Sequence, residues 1–239
     1  MDSIYSRKRE IEFSDVDKHL RLKLICAVNI IQNNMTNLFG KLNISNEGIK
    51  QRYNAFWVIS KLKIHFKKNP MLGEEIDSES FVSNYSKVRL NISHRFSDDS
   101  GNIVFEAHQE LCPMDMATRK IKALGSIINE EDVVFSKTSF SRFRWNVEDF
   151  TKIYSYTICY DDIDSNAHVN NAKYVGFVSN ALGSEFFDAN RVRDIEVHYI
   201  NECVEGAHIN IYRKNFDSAM GFIIMSGQTK IMEAKVIME

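Results

Sequence analysis

Between Tyr160 and Tyr174 the chain reads YDDIDSNAHVNNAKY, which places Asp164, Asn166 and His168 at alternate positions of one dense polar loop. The apolar residues that follow, Val175, Phe177, Val178, Ala181, Leu182 and Phe186, recur at helical spacing, so the loop leads into a helix. The unsatisfied N–H groups at such a helix start, together with the positive end of its dipole, can polarise a carbonyl or hold a developing oxyanion. Taken singly, an Asp, Asn or His in a strand-to-helix loop is most often a cap or a turn former, and Asn170 and Asn171 are read as caps. Only the joint arrangement points to chemistry.

The elements that must position this loop follow from periodicity. Residues 22 to 39 set Leu24, Ile25, Val28, Ile31, Met35, Leu38 and Phe39 on helical spacing, with Gly40 as the expected stop. Strand-like runs follow at 56–66, 75–84, 88–97 and 103–112, the last two joined by a turn at DDSG, 98–101. From 117 to 150 the periodicity weakens, and this stretch reads as a linker with some structure. The order then repeats: a strand over 153–159, a helix over 170–187, and strands near 193–200, 207–214, 220–225 and 229–238. The expected class is α+β, divided into an N-terminal domain over 1–120, a linker over 121–148 and a C-terminal domain over 149–239.

The two halves also match residue by residue. Phe13, Asp15, Val16 and Asp17 correspond to Tyr160, Asp162, Ile163 and Asp164 at an offset of 147. Ile64, His65, Phe66, Gly73 and Ile76 correspond to Val197, His198, Tyr199, Gly206 and Ile209 at an offset of 133. Two blocks that agree in order and polarity are read as a duplication. The useful information lies in the differences: His19 and Arg21 stand opposite Asn166 and His168, and Asn69 and Pro70 stand opposite Glu202 and Cys203. The first copy keeps the frame without the polar set.

Composition narrows the classes. Hydrophobic residues make up 44% of 239, enough for packed cores, and 30 basic against 32 acidic side chains leave a formal net charge of -2. No global field points to nucleic acid. The seven His residues lack metal-motif spacing, so neither a metal nor another cofactor is expected. Four Cys without a CxxC read as free thiols in a reducing compartment. No stretch is long and apolar enough to span a membrane and the N-terminus lacks a signal-like h-region, so a soluble cytoplasmic protein is the expectation.

The loop at Asp164, Asn166, His168, Val169, Asn170 and Asn171, continued by Lys173 and Tyr174, resembles the D-x-N-x-H-V-N-N hallmark of the acyl-ACP thioesterases. The segment HYINECVEG, with Glu202 and Cys203, resembles that family's second signature, and the first half resembles its other repeat through AFWVISKLKI and Thr118-Arg119-Lys120. Ala167 and Cys112-Pro113 depart from the usual pattern.

The resemblance implies two tandem hot-dog domains, each a curled antiparallel sheet around a central helix, and hydrolysis of fatty acyl-ACP to free fatty acid. On that basis Glu202 is expected as general base for a water, His168 and Asn166 as groups holding water and carbonyl, and Asp164 as an orienter or second carboxylate. Cys203 stays open between a small packing residue and a nucleophile. Acyl-CoA as substrate, or a non-catalytic acyl-binding protein, are the alternatives. The partner is then an acidic carrier protein met by a local basic patch, with Lys61, Lys63, Lys67 and Lys68, or Arg142 and Arg144, as candidates. A fused pair of domains is compatible with a monomer or a homodimer. The acyl tail is expected against Ile25, Val28, Ile31, Met35, Trp57 and Ile59 in the half that lost its polar set, although core packing explains each of these equally well.

Overall fold

The computed structural model describes residues 3–125 and 127–239, which form two compact units. One comprises Met1–Leu22 and Asn29–Phe140, the other Lys23–Val28 and Ser141–Glu239. The expected linker therefore divides, with 121–140 in the first unit and 141–148 in the second.

The chain runs through β1 (Ile4–Glu10), α1 (Leu24–Lys41), α2 (Asn46–Tyr53), β2 (Ala55–Phe66), β3 (Glu75–Tyr85), β4 (Leu90–Ser97) and β5 (Ile103–Asp115). It continues through β6 (Thr151–Thr157), α3 (Asn171–Leu182), α4 (Ser184–Ala189), β7 (Val192–Tyr199), β8 (His208–Phe216), β9 (Ala219–Ser226) and β10 (Thr229–Met238). In the first unit the antiparallel strands lie in the order β1-β3-β4-β5-β2, and in the second in the order β6-β8-β9-β10-β7. The two orders are the same when β6 is set on β1.

The first unit's core gathers Leu38 and Phe39 of α1, Ile49 of α2 and Trp57, Leu90, Ile92 and Leu111 of the sheet. Trp57 is fixed there by its indole N–H, which donates to Ile44 O at 2.7 Å, and by the Phe39 ring 5.2 Å away. A short polar row crosses the same interior: Ser80 Oγ lies 2.8 Å from His94 Nδ1, and His94 Nε2 lies 3.1 Å from Gln109 Oε1. In the second unit the matching strand positions hold Arg213, Phe222 and Val236.

Several expectations need correction. α1 runs through Gly40 to Lys41, because a Gly on an exposed helix face costs only about 1 kcal/mol and nothing there forces a left-handed residue; Asn43, at φ 57°, takes that conformation instead. The helix expected over 170–187 breaks at Gly183, whose φ of 77° ends α3 before α4 begins. α2 was not anticipated, since among NEGIKQRY only Ile49 is buried.

The duplication extends to individual backbone hydrogen bonds. Ile158 N–H donates to Ala207 O at 2.9 Å, as Ile11 N–H does to Glu74 O, and Val169 N–H donates to Cys203 O as Leu22 N–H does to Pro70 O. Ala167 and Leu20, both at φ 61°, occupy the same left-handed place in the two loops, and Gly206 and Gly73 share φ 79°. Gly is the residue best suited to such a φ, so the Ala167 departure sits at a position where backbone shape is demanding.

Candidate active site

The polar loop is closed from below by a buried carboxylate. Asp162, 4% exposed, accepts from Cys159 N–H at 3.0 Å and lies 3.3 Å from Lys173 Nζ of α3, while its backbone carbonyl accepts from Asn170 N–H. One residue thus joins the loop's entry to the first turn of the helix. Removing that carboxylate strands the Cys159 amide and the Lys173 ammonium, so Asp162→Ala is expected to cost about 2–3 kcal/mol in urea unfolding. A loss below about 0.5 kcal/mol would show that the loop is held by other contacts.

Above this anchor, Asp164 folds the chain back on itself. Its Oδ1 accepts from Asn166 N–H at 2.8 Å, its carbonyl accepts from Ala167 N–H at 3.0 Å, and its own N–H donates to His168 O at 2.8 Å. The Asn166 amide nitrogen is 3.4 Å from Asp164 Oδ2, so this side chain is turned toward its own loop. Asn170 is the N-cap of α3, its Oδ1 accepting from Ala172 N–H at 2.9 Å and its carbonyl from Lys173 N–H. Those two amides of the helix start are therefore already engaged and do not face an oxyanion.

The loop brings His168 to Glu202, which lies beyond the end of β7. His168 Nε2 and Glu202 Oε2 are 3.3 Å apart, and the two side chains are 32% and 40% exposed, open enough to meet a substrate. Cys203 is 4% exposed, and burial pushes its thiol above the ordinary range. A buried, protonated thiol is a poor nucleophile. The Cys203 backbone is gripped on both sides: its carbonyl accepts from Val169 N–H at 2.9 Å, and its N–H donates to Tyr174 Oη at 3.2 Å. Burial raises the Tyr174 phenol well above its ordinary value, so it stays neutral as an acceptor. Residues adjoining both members of the pair are therefore tied to one another and to α3.

Of the expected site residues, His168 and Glu202 meet, Asp164 and Asn166 meet each other, and the Cys203 side chain is buried next to Glu202 in the chain. Asp162 and Tyr174 had no role in the sequence reading. A signal for Asp162 was present, because Asp15 matches it in the other copy and accepts from Glu12 N–H as Asp162 does from Cys159 N–H. In the first copy Asn69, in the place of Glu202, leaves its Oδ1 buried without a partner among the described residues. Among the described residues no cluster of three His, Cys, Asp or Glu side chains could hold a metal. Of the expected tail residues, Met35, Trp57 and Ile59 share the first unit's core, Val28 and Ile31 are fully buried, and Ile25 directs its Cδ1 toward Gly176 of α3.

Residues 2–131 match the family model of the acyl-ACP thioesterase N-terminal domain, and residues 147–237 match that of the C-terminal domain. The chain belongs to the acyl-ACP thioesterase family. A chloroplast acyl-[acyl-carrier-protein] hydrolase of Cuphea viscosissima is 24% identical over 194 residues, covering 74% of this chain and 46% of that relative. An oleoyl-acyl carrier protein thioesterase of Arabidopsis thaliana is 20% identical over 219 residues, 83% of this chain and 60% of its own length. The chain thus spans about half the length of the curated relatives it matches.

Among solved structures, an acyl-ACP thioesterase from Bacteroides thetaiotaomicron is similar at a TM-score of 0.91 and 20% identity, over 100% of this chain and 98% of that one. A 12:0-ACP thioesterase from Umbellularia californica is similar at 0.81 and 15% identity, over 99% and 97%. The family's hot-dog type of α+β fold, expected from the motifs, is the fold of this member.

Proposed function

We propose that this protein hydrolyses fatty acyl thioesters carried on acyl carrier protein, releasing free fatty acid and the carrier thiol. The observation that carries the reading is the half-exposed His168–Glu202 pair, 3.3 Å apart, in the unit that matches the family's C-terminal domain. The Glu202 carboxylate takes a proton from water as the water oxygen adds to the thioester carbonyl carbon. The C–S bond then breaks and the departing thiolate recovers that proton. His168, 3.3 Å from Glu202, orients the carboxylate and the water, and Asn166, one of whose amide N–H groups faces Asp164, offers the other to the carbonyl oxygen. Asp164 shapes the turn that presents both. A thiolate leaves readily, so no strong acid and no cofactor is required.

Thiol release from acyl-ACP and acyl-CoA of equal chain length, measured under matched conditions, tests the reading. Faster turnover of acyl-ACP is the expected result. Preference for acyl-CoA would transfer the function to that substrate, and silence on both would leave an acyl-binding protein. The four free cysteines suit a reducing compartment such as the cytoplasm, and no helix among the described residues is long and apolar enough to cross a membrane.

Acyl-tail length is assigned to Ile25, Val28, Ile31 and Met35 of α1 with Trp57 and Ile59 of β2. Val28 is fully buried, so a larger side chain there must take volume from its surroundings. Val28→Phe is expected to move preference toward shorter acyl chains, with turnover of a short substrate within about threefold of the parent. An unchanged chain-length profile in a folded variant would place the tail elsewhere.

A further inference from the structure

We propose that residues 141–145 form a rigid basic docking strip for the acidic carrier protein, with Arg142, Arg144 and Lys214 as its cations; this rests on the thioesterase reading above. The segment alternates strictly. Arg142 and Arg144 are exposed, while Phe143 and Trp145 turn inward and stack on one another at 4.4 Å. Phe143 also stacks on His198 at 4.2 Å, and Trp145 packs near Phe150 and Phe216 at 5.5 and 5.8 Å.

Two buried carboxylates hold the ends of the strip. Glu196 accepts from Ser141 N–H at 2.6 Å and from Ser141 Oγ at 3.0 Å, and Glu233 engages Lys230, whose Nζ donates to Trp145 O at 2.7 Å. Both carboxylates are only 5% exposed, an arrangement that is costly unless the bonds it makes are used. Lys214 lies over the Phe150 and Phe216 rings at 6.0 and 5.7 Å, which adds a third cation beside the same aromatic column. A strip whose backbone and inward aromatic side chains are fixed in advance loses less entropy when a partner binds its outward arginines.

Charge distribution decides where an acidic partner goes. The two segments that carry the His168–Glu202 pair also carry Asp161, Asp164 and Glu205, an acidic local balance that does not favour an acidic carrier. In the alternative lysine set, Lys61 is paired with Glu110 at 3.2 Å and Lys68 with Glu74 at 2.6 Å. Arg142 and Arg144 have no carboxylate partner among the described residues. The strip is also within reach of the chemistry. His198, under Phe143, is four residues from Glu202, roughly 14 Å of extended chain at most, which the flexible arm of a carrier can cover.

The test uses the full chain with both arginines reversed, Arg142→Glu with Arg144→Glu, and two substrates, an acyl carrier protein and a carrier-free acyl-pantetheine of the same chain length. KM for the acyl carrier is expected to rise about tenfold and its dependence on salt to weaken, while kcat and all constants for acyl-pantetheine stay within about twofold. An unchanged KM for the carrier, or an equal loss on both substrates, would overturn the docking strip while leaving hydrolysis in place. If the parent hydrolyses neither substrate, the thioesterase reading fails and the strip fails with it. Should the reversal weaken binding to vesicles of phosphatidylglycerol but not to the carrier, the strip belongs to a membrane surface and the proposal is wrong.

Discussion

Glu202→Gln is expected to lower kcat on acyl-ACP by about 10²–10⁴-fold with KM little changed, since a positioned general base contributes on that scale. The amide keeps the size of the carboxylate and can still face His168 Nε2 across the 3.3 Å gap, so folding should be intact and the loss confined to proton transfer. Cys203→Ala is the informative companion. Its side chain is buried and its thiol is pushed up by that burial, so it is expected to retain kcat within about fivefold while losing about 1 kcal/mol of stability as a small packing residue. The reverse pattern, with Cys203→Ala inactive and Glu202→Gln active, would require an acyl-enzyme on Cys203 and would displace the water mechanism. Rapid mixing should show no burst of thiol release in the parent.

Acid is expected to unfold the first unit through His94. Burial holds this imidazole neutral down to about 3, with His108 adding a smaller push in the same direction. The nitrogen contacts suit the neutral ring, Nδ1 accepting from Ser80 Oγ and Nε2 donating to Gln109 Oε1. In the unfolded chain the same ring takes a proton near 6.5. Between those values the unfolded state binds more protons, so stability falls as pH falls, by up to about 5 kcal/mol once pH passes below 3. About 3 kcal/mol of this should be lost between pH 7 and pH 4.

His94→Phe copies Phe222 at the matching position of the second unit. It should be less stable than the parent at pH 7, because Ser80 and Gln109 lose a partner, yet show a shallower acid slope in denaturant midpoints. Parallel slopes would mean that other groups carry the acid transition.

The parts of this fold that were legible in sequence are those whose burial is one-sided. α1 and α3 carry apolar residues at helical spacing, and β2 alternates over most of its length, so α1, β2 and the start of α3 fall within two residues of their expected places. β1, reading IYSRKRE, is an edge strand largely exposed along its length and carries almost no hydrophobic signal of its own. α2 buries Ile49 alone and is fixed by its caps, Ser45 accepting from Gly48 N–H and Asn54 in the left-handed region, rather than by a stripe.

The loop of the site could be read because its polar residues are contiguous. The meeting of His168 with Glu202 could not be derived from spacing, since it depends on Val169 reaching Cys203 across 34 residues of chain. The self-capping of α3 by Asn170 was anticipated; its consequence, that the Ala172 and Lys173 amides are occupied, needed coordinates.

The paired loops let one chain separate two kinds of selection. Asp17 and Asp164 make the same turn, each accepting from the amide two residues on, although only one lies beside a His–Glu pair. What both copies retain answers to the shape of the main chain, and what only one retains answers to chemistry. Asp15 with Asp162 and Asp17 with Asp164 fall in the first group, while Arg21 with His168 and Asn69 with Glu202 fall in the second. Asp17, in the copy without the His–Glu pair, still holds its turn and pairs with Arg21, so its presence there needs no reaction to explain it. Asp17→Ala therefore sets an upper bound on the architectural share of Asp164→Ala, because Asp17 also holds the Arg21 guanidinium at 3.0 Å, and a turnover deficit beyond that bound belongs to the reaction itself.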